Sequence, residues 1–210
     1  MKKIAKMLAF VIVTLWIFTG CDSKNNEEEQ EMSTQKEETL TPAQQAMVET
    51  FEKHMKAEFE LLSVDSTLAT MVEEPYIINI PTLVGGDDQK GVRDFYTNHM
   101  IGQFPADMEI IPVSRTVGND QLVEEVVLKF THTTKIDWML PGVAPTGKKV
   151  EVPVVVIVGF KDDKMVSERI YWDQASVLVQ LGLIEAEELP LTGVKSTQKL
   201  LELVGKGADE

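Results

Sequence analysis

Two long β-rich runs, each turning back on itself, dominate the stretch from Pro105 to Trp172 and limit what the rest of the chain can become. Met108 to Val117 and Gln121 to Thr134 flank Gly118-Asn119-Asp120, a strong hairpin signal. Val150 to Phe160 and Met165 to Trp172 flank a second turn, Lys161-Asp162-Asp163-Lys164. Alternation shows which way the strands face. From Gln121 onward, Leu122, Val126, Leu128, Phe130 and His132 share one side, and Val123, Glu125, Val127, Lys129 and Thr131 share the other. Glu124 interrupts the apolar set near its turn, whereas His132 points with that set. Val152, Val154, Val156 and Val158 alternate with Pro153, Val155 and Ile157, so this strand reads as buried on both faces, which is compatible with a homodimer.

Helices come first. Thr41-Pro42 is a capping hydroxyl followed by proline at the first helical position. Met47, Val48, Phe51, Met55, Phe59 and Leu62 then recur at spacings of three and four, predicting one long amphipathic helix. A short helical piece is expected within Ser63 to Met71 and a short strand over Tyr76 to Ile80. Gly85-Gly86-Asp87-Asp88 reads as a turn and a helix cap, and Val92, Phe95, Tyr96, His99 and Met100 share one face of the next helix. Two further helices, Gln174 to Leu183 and Ser196 to Val204, close the chain. This order argues for an α+β fold rather than a parallel α/β sheet, with strands long enough to curl around a helix.

The first forty residues are of another kind. Met1-Lys2-Lys3-Ile4-Ala5-Lys6 is basic, and the uncharged, largely apolar run Met7 to Phe18 has 12 residues, well short of the ~20 that a helix needs to span a bilayer. The pattern predicts a signal peptide over residues 1–20. Phe18-Thr19-Gly20-Cys21 resembles the bacterial lipobox, with Phe where Leu is usual, which implies cleavage before a lipidated Cys21. Cys21 is the only cysteine, so no disulfide forms within the chain and thiol catalysis is not expected. Two or more acyl chains would make a lasting tether to the lipid bilayer. Residues 21–41 carry seven acids and few large apolar side chains and read as a disordered spacer, or as a surface-export signal around Lys24 and Glu27-Glu28-Glu29. The expected location is the cell envelope, periplasmic or surface-exposed.

Without residues 1–20 the chain has 17 basic against 34 acidic side chains, which makes nucleic acid an unfavourable partner. The chain beyond the tether suffices for one well-cored domain, expected over residues 42–190, with a C-terminal helix and tail over 191–210.

The order of elements resembles the nuclear-transport-factor-2-like superfamily, a curved antiparallel sheet wrapped into a cone around helices. Arg115-Thr116-Val117-Gly118, Phe130-Thr131-His132-Thr133, Asp137-Trp138-Met139-Leu140-Pro141-Gly142 and the run from Tyr171-Trp172-Asp173 to Gly182 resemble its SnoaL-like, polyketide-cyclase-like subgroup, over about Met47 to Leu189. The resemblance implies a cone with a pocket for a small hydrophobic molecule. It leaves open an isomerase, cyclase or dehydratase using an Asp or His, a ligand binder, or a domain without activity.

Residue pattern and resemblance together supply the candidate site residues. Asp173, next to Tyr171 and Trp172 at a strand–helix junction, is a candidate general base and equally a candidate cap for Gln174-Ala175-Ser176. His132, on the apolar side of its strand, would pass a proton to and from Asp173 or simply be a satisfied core residue. His99 is placed either for a ligand or for the dipole at its helix end. Asp137 and Trp138 begin a loop, Lys135 to Lys149, long enough for a lid over the cone, with Trp138 touching a ligand or pinning the loop. Tyr96 and Tyr171 are candidate hydroxyl donors. Three scattered histidines make a poor metal signal, and no phosphate loop or nucleophile elbow is found, so neither metal nor cofactor is expected. The expectation is a cofactor-independent acid–base enzyme acting on an apolar or carbonyl-bearing molecule, or a non-catalytic sequestering or dimeric module.

Overall fold

The computed structural model describes residues 40–187 and 189–207. The segments expected as a signal peptide and an acidic spacer, with Cys21 between them, fall up to residue 39 outside the described residues. No helix among the described residues is long and apolar enough to cross a membrane.

Helix α1, Pro42–Phe59, starts as its cap dictates. Thr41 Oγ1 accepts from the Gln44 N–H at 3.3 Å, and Gln44 Oε1 accepts from the Thr41 N–H at 2.9 Å, closing a capping box. It ends one turn before Leu62, which is exposed in a left-handed conformation (φ 49°) as the chain reverses into α2, Val64–Leu68, capped by Ser63.

Strand β1, Met71–Asn79, is longer than its apolar half suggests. Glu73-Glu74-Pro75 hides its first residues from a pattern search, and a register irregularity between Met71 and Tyr76 accommodates that segment. Gly85 and Gly86, read as a turn, instead belong to β2, Val84–Gly86, opposite Ile78 and Ile77. A side chain on Gly85 would lie 2.0 Å from the Ile77 carbonyl oxygen, so only glycine permits that pairing. The reversal itself falls at Asn79 to Leu83, where the Leu83 N–H donates to the Asn79 carbonyl at 2.7 Å. Asp88 caps α3, Gln89–Phe95, as expected.

Directly after α3 the helix widens into a single π turn, Tyr96–Met100, closed by the Ile101 N–H donating to the Tyr96 carbonyl at 3.0 Å. Then come β3 (Glu109–Val117), β4 (Gln121–Thr131), β5 (Lys149–Lys161) and β6 (Lys164–Trp172), with both hairpins where their turns predict. Helices α4, Gln174–Gln180, and α5, Lys195–Gly207, complete the chain.

The architecture is the expected α+β cone. Six strands run β2-β1-β6-β5-β4-β3, antiparallel except for the β1–β6 pair. Extra residues at Val113 of β3 and Val166 of β6 shift the register there, and such bulges bend a strand. Phe51, Met55, Glu58 and Phe59 of α1 meet inward residues of β1, β3, β4, β5 and β6 around one cavity. On β5, Val152, Val154 and Val158 are buried, but Pro153, Val155 and Ile157 on the other side are only half-buried in this single chain. The first part of the segment expected as a lid is core, since Ile136, Trp138, Met139 and Leu140 are all buried, whereas Pro141 to Lys149 is mostly exposed.

Candidate functional site

The cavity has a volume of about 80 Å³ and walls that are almost wholly apolar, with Glu58, Asn79, Glu124 and Glu168 as its polar members. Its space adjoins a wider one of about 290 Å³ between α1 and β3, and the two share Phe51, Met55, Phe59, Ile110, Glu124 and Val126.

Glu124 is the residue that broke the apolar alternation of β4, and it is buried because Arg115 neutralises it. Arg115 Nε donates to Glu124 Oε2 at 2.5 Å and Nη2 to Oε1 at 3.2 Å, a two-pronged pair. The guanidinium also lies over the Phe51 ring, 5.5 Å from its centroid.

The second polar wall is a network at the back of the cavity. His54 and Glu58, four residues apart on the inward face of α1, meet Glu168 from β6 and Tyr96 from the head of the π turn. His54 Nε2 lies 2.9 Å from Glu58 Oε1, 3.1 Å from Tyr96 Oη and 3.5 Å from Glu168 Oε2. Tyr96 donates to Glu168 Oε2 at 2.9 Å, and His54 Nδ1 meets Thr70 Oγ1 at 2.6 Å. The Glu58 contact is short but off axis, so Glu58 Oε1 has no aligned hydrogen bond among the described residues.

Burial works against a charge on His54, but the Glu58 and Glu168 carboxylates outweigh it and push its pKa up to about 10. Burial pushes Glu58 upward, opposed by His54. Burial and the two carboxylates raise Tyr96 well above its ordinary range. The facing donor atoms of His54, Glu58 and Glu168 lie within 4.8 Å of one another, a spacing that a divalent cation could use. Tyr96 already bridges Nε2 and Glu168, so hydrogen bonding accounts for the cluster without an ion.

The residues expected from sequence are scattered by comparison. Asp173 caps α4, accepting from the Ser176 N–H at 3.0 Å and from Ser176 Oγ at 2.6 Å, and it does not line the cavity. His132 is fully buried beyond the end of β4, with Thr146 as its side-chain neighbour at 3.3 Å and a pKa lowered by burial. No hydrogen bond or ion pair joins it to Asp173, so the expected pair is not assembled. Tyr171 is exposed on the outer side of β6, because inward positions there are Glu168, Ile170 and Trp172.

Trp172 packs edge-on against Trp138 with ring centroids 5.7 Å apart, and its indole N–H donates to Gln174 Oε1 at 2.6 Å. Trp138 does line the cavity, and Thr82 and Gln174 hold its loop by donating to the Trp138 and Met139 carbonyls. His99 and Asp137 form a separate pair at 3.3 Å with Lys135. Burial favours a neutral Asp137, but hydrogen bonds from Lys135 and His99 prevail and lower its pKa. Of the expected residues, Trp138 reaches the cavity wall and Tyr96 the network behind it.

His54, Glu58, Glu168 and Glu124 were not among the expected site residues. A signal existed for each, a charged or titratable residue at an inward position: 54 and 58 among the apolar spacings of α1, 124 and 168 on the inward sides of β4 and β6.

Residues 87–181 match the family model of the SnoaL-like polyketide cyclases. No curated protein matches the chain in sequence. Among solved structures, a candidate SnoaL-like polyketide cyclase from Jannaschia sp. CCS1 is similar at 18% identity and a TM-score of 0.56, covering 70% of this chain and 99% of its own. A candidate hydroxylase, AclR, from Streptomyces galilaeus is similar at 15% identity and 0.52, covering 80% and 99%. TsrD from Streptomyces laurentii is similar at 15% and 0.52, covering 70% and 100%. At these identities the likeness concerns the fold, which is that of the nuclear-transport-factor-2-like, SnoaL-like domains.

Proposed function

We propose that this chain is an envelope lipoprotein, anchored to a bilayer through Cys21, whose cone binds a small apolar or carbonyl-bearing molecule. Within it, Glu168 moves the proton of a cofactor-independent isomerisation, cyclisation or hydration. The observation that carries this reading is a carboxylate, Glu168, on the wall of an apolar cavity with its Oε2 fixed by a buried tyrosine. The match to the cyclase family model points the same way, and the first 21 residues support the anchor. The roles first given to Asp173 and His132 pass to Glu168 and His54.

Size narrows the ligand. A cavity of ~150 Å³ is enough for benzene, so about 80 Å³ seats less than a full ring unless the wall yields. Met55, Met100 and Met108 line it, and unbranched methionines yield readily. The remainder of the molecule would extend into the wider space under Arg115.

A panel of small cyclic ketones and enones, screened by thermal shift and then by product analysis, tests this. Glu168→Gln is expected to bind the same compounds while losing at least a hundredfold in turnover. Full turnover in that variant removes Glu168 from the chemistry. Binding by both proteins with turnover by neither favours the sequestering module, the second reading. The half-buried Pro153, Val155 and Ile157 favour pairing of two copies through the outer sheet under either reading.

A further inference from the structure

We infer that Tyr96 is a positioning residue that conducts protons between His54 and Glu168, making the buried imidazolium a proton store for the cavity carboxylate.

Counting the hydrogens available to each group gives a first arrangement. The Thr70 hydroxyl has one hydrogen and gives it to the Thr67 carbonyl at 2.6 Å, so towards His54 it can only accept. Nδ1, 2.6 Å away, therefore carries a hydrogen. On the other side Tyr96 gives its one hydrogen to Glu168 Oε2, so towards His54 it too can only accept, and Nε2 carries a second hydrogen. The ring is then a cation facing a carboxylate, with Tyr96 between them. The direct Nε2 to Oε2 distance of 3.5 Å is too long for a good hydrogen bond, which leaves the phenol as the path.

A second arrangement fits the same heavy atoms. The Nε2 hydrogen passes to Tyr96 Oη as the phenol hydrogen passes to Glu168 Oε2. One N–H and one O–H bond break and two O–H bonds form. His54 is left neutral with its hydrogen on Nδ1, and Glu168 becomes a carboxylic acid. The first form is a base and the second an acid, interconverted without water. Glu58 from α1, Glu168 from β6 and Tyr96 from the π turn are the titratable groups that face His54, and the two carboxylates favour its charged form. Tyr96 stands at the head of the π turn, an irregularity frequent at functional sites.

This inference rests on Glu168 as the cavity base, but its test needs no ligand and so fails separately. In the full chain labelled with ¹⁵N-histidine, NMR is expected to show His54 protonated on both ring nitrogens at pH 8. Tyr96→Phe keeps the ring volume and is expected to lower the His54 midpoint by about one pH unit, a tenfold loss of proton affinity, for one lost hydrogen bond. Glu168→Gln is expected to lower it further. Three results overturn the proposal: a singly protonated His54 in the unmodified chain at pH 8, an unmoved midpoint in Tyr96→Phe, or a metal ion on Nε2 in the purified protein. Should Tyr96→Phe fail to fold, the unmodified chain decides, because the hydrogens on Nε2 and Tyr96 Oη must appear as slowly exchanging low-field signals and their absence sinks the idea.

Discussion

The back wall of the cavity and the rim of the cone use the same residue types to opposite ends. At the wall, His54, Glu58 and Glu168 meet with side chains at most 5% exposed, and the two carboxylates hold the imidazole charged. Outside the cavity, Asp173 is engaged at a helix start, and His132 is buried with Nδ1 beside Thr146 and Nε2 without a partner among the described residues. An acid or histidine becomes chemically useful here through the elements that converge on it, not through aromatic neighbours in sequence. The contrast also orders the expected costs of substitution, since a charge at the wall has only its partners to replace water.

Replacing His54 by leucine is the most severe way to break the contrast. It leaves Glu58 and Glu168 facing each other in an apolar wall without a cation, and loss of one partner of a buried pair costs roughly 3–5 kcal/mol. A fall in unfolding free energy of that size, read from denaturant titration, is expected. An unchanged midpoint would mean that the wall is wetter than its burial indicates.

Changing pH probes the same wall without mutation. The folded pKa of His54, about 10, lies above its unfolded value of 6.5, so folding binds a proton there. The stability it contributes is fully present below pH 6.5 and is lost as pH rises through about 10. Denaturant unfolding at a series of pH values should therefore show stability declining on the alkaline side, by up to a few kcal/mol on the order given by ~1.4 kcal/mol per unit. In His54→Gln this decline should flatten.

Features that local chemistry decides were legible in the sequence, and features that depend on convergence were not. Thr41-Pro42, Asp88 and the two turns announce element ends because each satisfies its own backbone, and those ends fall where expected. Beyond that range the pattern misleads. Glu73-Glu74-Pro75 masks half of β1, and Gly85-Gly86 reads as a turn although the closeness of Ile77 is what demands glycine. The Lys135–Lys149 segment has loop composition yet supplies four core residues. For the site, Glu124 stood out only as a defect in alternation. Tyr96 stands 42 residues from His54 and 72 from Glu168, and only the sheet's register against α1 brings the three together.

The mildest test lies at the rim, where Asp173 has the credentials of a general base and the geometry of a cap. Both its carboxylate oxygens are engaged by Ser176, the N–H at 3.0 Å and the hydroxyl at 2.6 Å. Asp173→Ala removes the cap and frees the first turn of α4, a loss of typically ~1 kcal/mol. Asparagine keeps an acceptor for the N–H and should cost less. Since Asp173 does not line the cavity, turnover per folded molecule should be unchanged in both variants, in contrast to Glu168→Gln. If Asp173→Asn loses turnover at full stability, the base lies at the rim after all, and the back wall is a structural network instead.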